Sequence, residues 1–116
     1  MRILLTGGAG FIGSHLAESL ILKGGHSLTV IDNFDPFYDR SIKEKNIAAL
    51  KSNPAFHLIE GDFRSLPTFE NQLEESYDAL IHVGAQAGVL PSIKDPIGYE
   101  DVNIKGTLQL LEFAKK

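Results

Sequence analysis

Apolar residues in this chain follow two rhythms. Four short runs, at Arg2–Thr6, 28–32, Phe56–Glu60 and 79–83, are dominated by Ile, Leu, Val and Phe and have the length and composition of strands. Between them the apolar positions recur every three to four residues, as in helices. Residues 11–23 place Ile12, Leu16, Ala17, Leu20, Ile21 and Leu22 on one stripe, leave Glu18 and Lys23 for solvent, and stop at Gly24 and Gly25. A second helix is expected over 42–51, with Ile42, Ile47, Ala48 and Leu50 inward, Lys43, Glu44, Lys45 and Lys51 outward, and Asn53 and Pro54 closing it. A short third helix, capped by Ser65 or Thr68, turns Leu66, Phe69 and Leu73 inward. Residues 91–98, with Pro91, Pro96 and Gly98, read as a loop. The longest helix then runs from Ile97 or Tyr99 to Lys116, with Val102, Ile104, Leu108, Leu110, Leu111 and Phe113 spread around it. Strands alternating with helices predict an α/β fold, a parallel sheet with helices on both faces and strand order 3-2-1-4.

The first strand runs straight into Gly7, Gly10 and Gly13, a helix follows, and the second strand ends on Asp32. The three glycines act differently. Gly7 turns the chain off the strand, Gly10 opens the main-chain N–H groups to a phosphate, and Gly13 lets the helix lie close on the sheet. The unpaired N–H groups and positive dipole end of that helix point at the same spot. An acid at the tip of the second strand is placed to accept from both hydroxyls of an adenosine ribose, although Asp also favours plain turns and caps. Together these features predict a Rossmann-like dinucleotide site. A 2′-phosphate would meet like charge at Asp32, and no Arg or Lys follows directly in Asn33, Phe34 and Asp35, so NAD is favoured over NADP.

Composition narrows the alternatives. At 116 residues the chain makes one domain, and its net charge of −4 with scattered Lys and Arg offers no footprint for nucleic acid. There is no Cys, and His15, His26, His57 and His82 are too dispersed for a metal motif. No signal peptide and no membrane-spanning run is visible, which leads us to expect a cytoplasmic protein with no membrane partner. His15 reads as an exposed helical residue and His82 as a packed strand-end residue rather than a catalytic one.

Three further stretches bear on a ligand. The aromatic loop at 33–39, broken by Pro36, either packs on the domain or meets an adenine. Asp62 and Phe63 follow the third strand and either face the adenine, Asp62 accepting from its amino group, or belong to a Gly-Asp turn; Arg64 reads as a surface charge. Beyond the fourth strand, Gly84, Ala85, Ala87 and Gly88 leave room for a ligand where strand order reverses, and Ser92 or Lys94 is available to a substrate.

Thr6 to Gly13, Asp32 with Asn33, Gly61 with Asp62, His82 to Ala85, and Asn103 to Thr107 together resemble the extended short-chain dehydrogenase/reductase family of NAD-dependent sugar-nucleotide epimerases and dehydratases. The resemblance spans the whole chain, and residues 32–38 with Gln86 to Val89 look most like UDP-glucuronate 4-epimerases. It implies an NAD that oxidises a nucleotide-sugar hydroxyl and returns the hydride to the other face. By the same resemblance Gly7, Gly10, Phe11, Ile12 and Gly13 hold the pyrophosphate, and Asp32 and Asn33 the adenosine ribose. Asp62 and Phe63 meet the adenine, Val83, Gly84, Ala85 and Ala87 line the path toward the nicotinamide, and Asn103 has a partly structural role. Leu90 stands where glucuronate epimerases usually carry Arg, so the sugar stays open, as do a 4,6-dehydratase, a decarboxylase and a non-catalytic dinucleotide-binding module. The family's catalytic Tyr-x-x-x-Lys has no counterpart, since Tyr38, Tyr77 and Tyr99 are followed at that spacing by Ile42, Ile81 and Asn103. The chain therefore reads as a truncated NAD-binding domain over 1–116, without catalytic residues, inactive alone, and a homodimer or larger through an uncovered last helix.

Overall fold

Parallel pairing puts four strands into one sheet. Strands β1 (Arg2–Thr6), β2 (Ser27–Asp32), β3 (Phe56–Glu60) and β4 (Ala79–His82) lie in the order β3-β2-β1-β4, as the sequence predicts. Register pairs Thr6 with Ile31 and with His82, and Asp32 with Glu60, so the strands end nearly level along one edge. The computed structural model describes residues 1–115, which form two units, Met1–Gly84 around the sheet and a helical unit from Ala85 onward.

Both faces of the sheet are covered. Ile3, Leu5, Leu28 and Val30 point to one side and join a core with Ala17, Ile47 and Leu50, while Leu4, Thr29, Ile31 and Ile59 alternate to the other side and are buried as well. Each large apolar side chain so removed from water contributes about 1.5–3 kcal/mol.

Helix α1 (Phe11–Lys23) has the predicted bounds and ends at Gly24, φ 72°, whose N–H returns to the Ile21 carbonyl. Of the predicted stripe, Ala17 is buried and Leu16, Leu20 and Ile21 pack against the core, whereas Ile12 is 70% and Leu22 79% exposed. In the first turn the helix lies so close on the glycine turn that Gly13 and Ser14 are buried in place of Ile12. Helix α2 (Arg40–Ile47) is shorter than expected and rotated: Lys43, Ile47 and Leu50 face inward, Ile42 and Ala48 outward. Asp39 caps it by accepting from the Ser41 N–H, and the Lys43 ammonium is drawn to Asp32, overriding the apolar pattern. In place of the third α-helix is a 3-10 segment, Phe63–Gln72, broken by non-helical backbone at Ser65 and Phe69 and capped by Asp62 rather than Ser65 or Thr68; Leu66 and Phe69 are buried as expected.

In the second unit the predicted 91–98 loop is helical. Helix α3 (Val89–Lys94) contains Pro91 in its first turn, and helix α4 (Pro96–Glu100) starts on Pro96 with Asp95 as its cap, positions where a missing N–H costs nothing. A π turn, Asp101–Lys105, joins α4 to α5 (Gly106–Phe113), so the last helix begins earlier than expected. Its predicted end at Lys116 lies outside the described residues. Ile104, Leu108 and Leu111 on it are more than half exposed. No helix among the described residues is long and apolar enough to cross a membrane.

Two contacts tie β1 to the end of β4. Gly7 leaves β1 at φ 72°, and a Cβ there would come within 2.6 Å of Gly84 Cα. Beside it the Gly84 N–H donates to Thr6 Oγ1 at 3.2 Å, and the Thr6 hydroxyl lies 2.5 Å from His82 Nδ1. Gly7→Ala is therefore expected to cost about 2 kcal/mol or more, read from urea unfolding, since it adds left-handed strain to a backbone clash. Burial pushes the His82 imidazole below its ordinary value, so it is neutral in the fold. The unfolded chain then binds the proton first: stability is full above the free-histidine value near 6.5 and is lost as pH falls through the lower folded value. Unfolding midpoints should drop as pH falls below about 6.5, and His82→Gln should flatten that slope.

Candidate functional site

The level strand ends bring the predicted residues of the first unit to one edge of the sheet. From β1 the chain turns through residues 7–10, where the Gly7 N–H donates to the Ile31 carbonyl at 2.8 Å and the Gly10 N–H to the Gly7 carbonyl at 3.1 Å. Gly10 then begins α1 with no side chain capping the helix and no acid in its first turn. A Cβ on Gly13 would lie 2.8 Å from Gly7 C and Gly8 Cα. Gly13 thus permits close packing on the turn itself rather than on the sheet. A Cβ on Gly10 would meet only the Gly7 carbonyl oxygen at 3.3 Å and the Tyr38 hydroxyl at 3.8 Å, so that side of the turn is open.

Asp32 closes the turn from the second strand. It is 6% exposed; Oδ2 accepts from the Ala9 N–H at 2.9 Å and Oδ1 from the Phe34 N–H at 2.8 Å. The second bond supports Phe34 at φ 53°, an uncommon position for a bulky residue. Two residues of α2 that the sequence did not mark also reach this place. Asn46 Nδ2 donates to the Ala9 carbonyl at 3.0 Å, and Lys43 Nζ stands 3.7 Å from Asp32 Oδ1. Asn33 is exposed, and its Oδ1 accepts from the Asp35 N–H.

The aromatic loop divides its roles. Phe34 is buried under the Arg40 guanidinium, 4.3 Å from the ring centroid, while Phe37 is exposed. Tyr38 lies under the Lys43 ammonium. Burial, then the charge of Asp32, raise the phenol above its usual value against the smaller opposing pull of the Phe11 main chain, so the hydroxyl is neutral.

At the end of β3 the Asp62 carboxylate accepts from the Arg64 N–H, Nε and Nη2, the last at 2.6 Å. Those bonds hold it below the usual carboxylate range despite partial burial. Asp62 thus caps the segment that follows β3, and Arg64 is its partner rather than a plain surface charge. Phe63 packs edge-on against His82 at 5.0 Å, and a Cβ on Gly84 would meet its ring at 3.0 Å. Val83 follows β4 and is 37% exposed.

Ala85, Ala87 and Asn103 belong to the second unit. There the Gln86 N–H donates to Asn103 Oδ1 at 2.8 Å and Asn103 Nδ2 returns to the Gln86 carbonyl at 3.0 Å, while the Tyr99 hydroxyl donates to the Ala87 carbonyl at 2.6 Å. Ala85 and Ala87 are exposed. Asn103 lies in the π turn, a distortion common at functional positions. An open groove of about 600 Å³ runs along this unit between Gln86, Val89, Ser92, Tyr99 and Asn103. Among the described residues no group of three or more His, Asp or Glu is placed to hold a metal ion.

Known proteins share this arrangement. Residues 4–116 match the family described as GDP-mannose 4,6 dehydratase. A probable UDP-glucuronate 4-epimerase of Rhizobium meliloti is 37% identical over 116 residues, covering 99% of this chain and 34% of the relative; UDP-glucose 4-epimerase 2 of Arabidopsis thaliana is 40% identical, covering 95% and 31%. Among solved structures, UDP-glucuronic acid 4-epimerase from Bacillus cereus, in complex with UDP-glucuronic acid and NAD, superposes with a TM-score of 0.87 at 36% identity over 99% of this chain and 36% of that one. The dTDP-glucose 4,6-dehydratase of Streptomyces venezuelae, with NAD bound, gives 0.84 at 31% identity over 98% and 35%. The chain spans about a third of the length of these relatives. With an uncapped glycine turn, a strand-end acid and a match over nearly its whole length, the chain belongs to the GDP-mannose 4,6-dehydratase family, within the extended short-chain dehydrogenase/reductases that epimerise and dehydrate sugar nucleotides.

Proposed function

We propose that this chain is the NAD-binding portion of a sugar-nucleotide epimerase that reversibly oxidises a nucleotide-sugar hydroxyl at C4. One observation carries the reading: a buried carboxylate, Asp32, stands 2.9 Å from the Ala9 N–H of a glycine turn whose helix has no side-chain cap. Such a pair suits the two ends of an adenosine diphosphate. The side-chain-free turn at Gly7 and Gly10 and the main-chain N–H groups of Phe11, Ile12 and Gly13 receive the pyrophosphate, and Asp32 with Asn33 the adenosine ribose. Asp62 and Phe63 border the adenine, and Val83, Gly84, Ala85 and Ala87 the path toward the nicotinamide, with Asn103 fixing the backbone at Gln86. When bound, NAD supplies the hydride chemistry; this chain orients it and keeps its anionic end at the α1 terminus.

The B. cereus epimerase, with its nucleotide sugar and NAD, supports the epimerase reading. The S. venezuelae dehydratase, nearly as similar, supports a 4,6-dehydratase as second reading. Both require a base for the sugar hydroxyl, and no Tyr-x-x-x-Lys occurs in these 116 residues. We therefore assign the chain no turnover alone, a cytoplasmic setting, and assembly as a dimer or larger through the exposed apolar residues of its last helix.

Titration calorimetry should show NAD bound and NADP bound more weakly. Gly10→Ala should lower the unfolding midpoint only modestly, because its Cβ meets the Gly7 carbonyl oxygen at 3.3 Å and otherwise only the Tyr38 hydroxyl at 3.8 Å, yet weaken NAD roughly tenfold or more by blocking the phosphate approach. Equal NAD affinity in that variant contradicts the site. The purified chain should not convert UDP-glucose, UDP-galactose or UDP-glucuronate, and a monomeric mass by light scattering at micromolar concentration would count against the assembly.

A further inference from the structure

The peptide between Ala9 and Gly10 lies within the glycine turn, and helix α2 holds its carbonyl. Asn46 Nδ2 donates to the Ala9 oxygen at 3.0 Å. Ala9 is fully buried, and its own N–H is held by Asp32 Oδ2. At the other end of the peptide the Gly10 N–H donates to the Gly7 carbonyl at 3.1 Å. Asn46 thus supplies a donor to a carbonyl that water does not reach, and removing the amide leaves a buried acceptor unmet.

The backbone gives that acceptor a way out. Gly10 has φ −72°, but a glycine takes positive φ about as readily, so the peptide is able to rotate about its flanking bonds and carry the oxygen round. The missing side chain that leaves room for a phosphate therefore also leaves the peptide free to flip. A flip turns the carbonyl away from α2 and reverses a peptide dipole one residue before α1, whose first N–H groups, on Phe11, Ile12 and Gly13, have no acceptor within the helix. We infer that Asn46 is a positioning residue for the anion site: by holding the Ala9 carbonyl toward α2 it preorganises the turn for a pyrophosphate. This rests on the dinucleotide reading above. Helix α2 thereby contributes to phosphate affinity through a bond to the backbone of the turn.

Titration of the whole chain, of Asn46→Leu and of Asn46→Gln with NAD, ADP and adenosine tests this, because adenosine carries the base and the ribose without the phosphates. Thermal melts accompany each variant. Asn46→Leu, close to Asn in size but without a donor, should bind NAD and ADP about tenfold more weakly, the scale of one lost hydrogen bond, and adenosine within about twofold of the wild type. Asn46→Gln, which keeps the amide, should recover part of the loss. Unchanged NAD affinity in Asn46→Leu, or NAD, ADP and adenosine all weakened by the same factor, overturns the inference while the dinucleotide site stands. No NAD binding by the wild type overturns the site, and the inference with it. If Asn46→Leu does not fold, Asn46→Ser, whose hydroxyl falls short of the Ala9 carbonyl, decides by the same ratio of ADP to adenosine affinity.

Discussion

One buried carboxylate holds this edge of the sheet together. Asp32 terminates β2, and its two oxygens fix two different segments, the glycine turn through Ala9 and the departing loop through Phe34. Neither bond is optional, because a charge this deeply placed is tolerated only when its lone pairs are met. The same acid explains the rotation of α2, since Lys43 follows it inward and carries Asn46 to the Ala9 carbonyl. A turn that bears almost no side chains is thus held rigid by groups that belong to its neighbours.

The second unit solves a comparable problem by different means. Its backbone at Gln86 is paired on both its N–H and its carbonyl by a single amide, Asn103, so the side chain stands in for a neighbouring strand. The helix that carries Asn103 is distorted into a π turn at that point, and Thr107 donates to the Asn103 carbonyl. Distortion and pairing occur on the same residue, which argues that the amide's position matters more than the regularity of the helix.

Strands were legible in the sequence because parallel strands covered on both faces read as uninterrupted apolar runs, and the glycine turn and Asp32 because backbone constraints act over a few residues. Helix faces were less legible. On α1 the stripe of Leu16, Ala17, Leu20 and Ile21 does face the core, but its first turn buries Gly13 and Ser14, so Ile12 there, and Leu22 near the end, mark the wrong side. On α2 a single ion pair outranked Ile42. Pro91 and Pro96 suggested a loop, yet both sit in first turns, where proline is at home. Lys43 and Asn46 were invisible as site residues because only tertiary packing brings them to Asp32.

Tyr38 gives the turn a particular neighbour. Its phenol is held neutral by burial and by the charge of Asp32, and its ring lies under the Lys43 ammonium. One cation is therefore shared between an acid and a ring, and replacing the ring alters the field at Asp32 without touching the carboxylate.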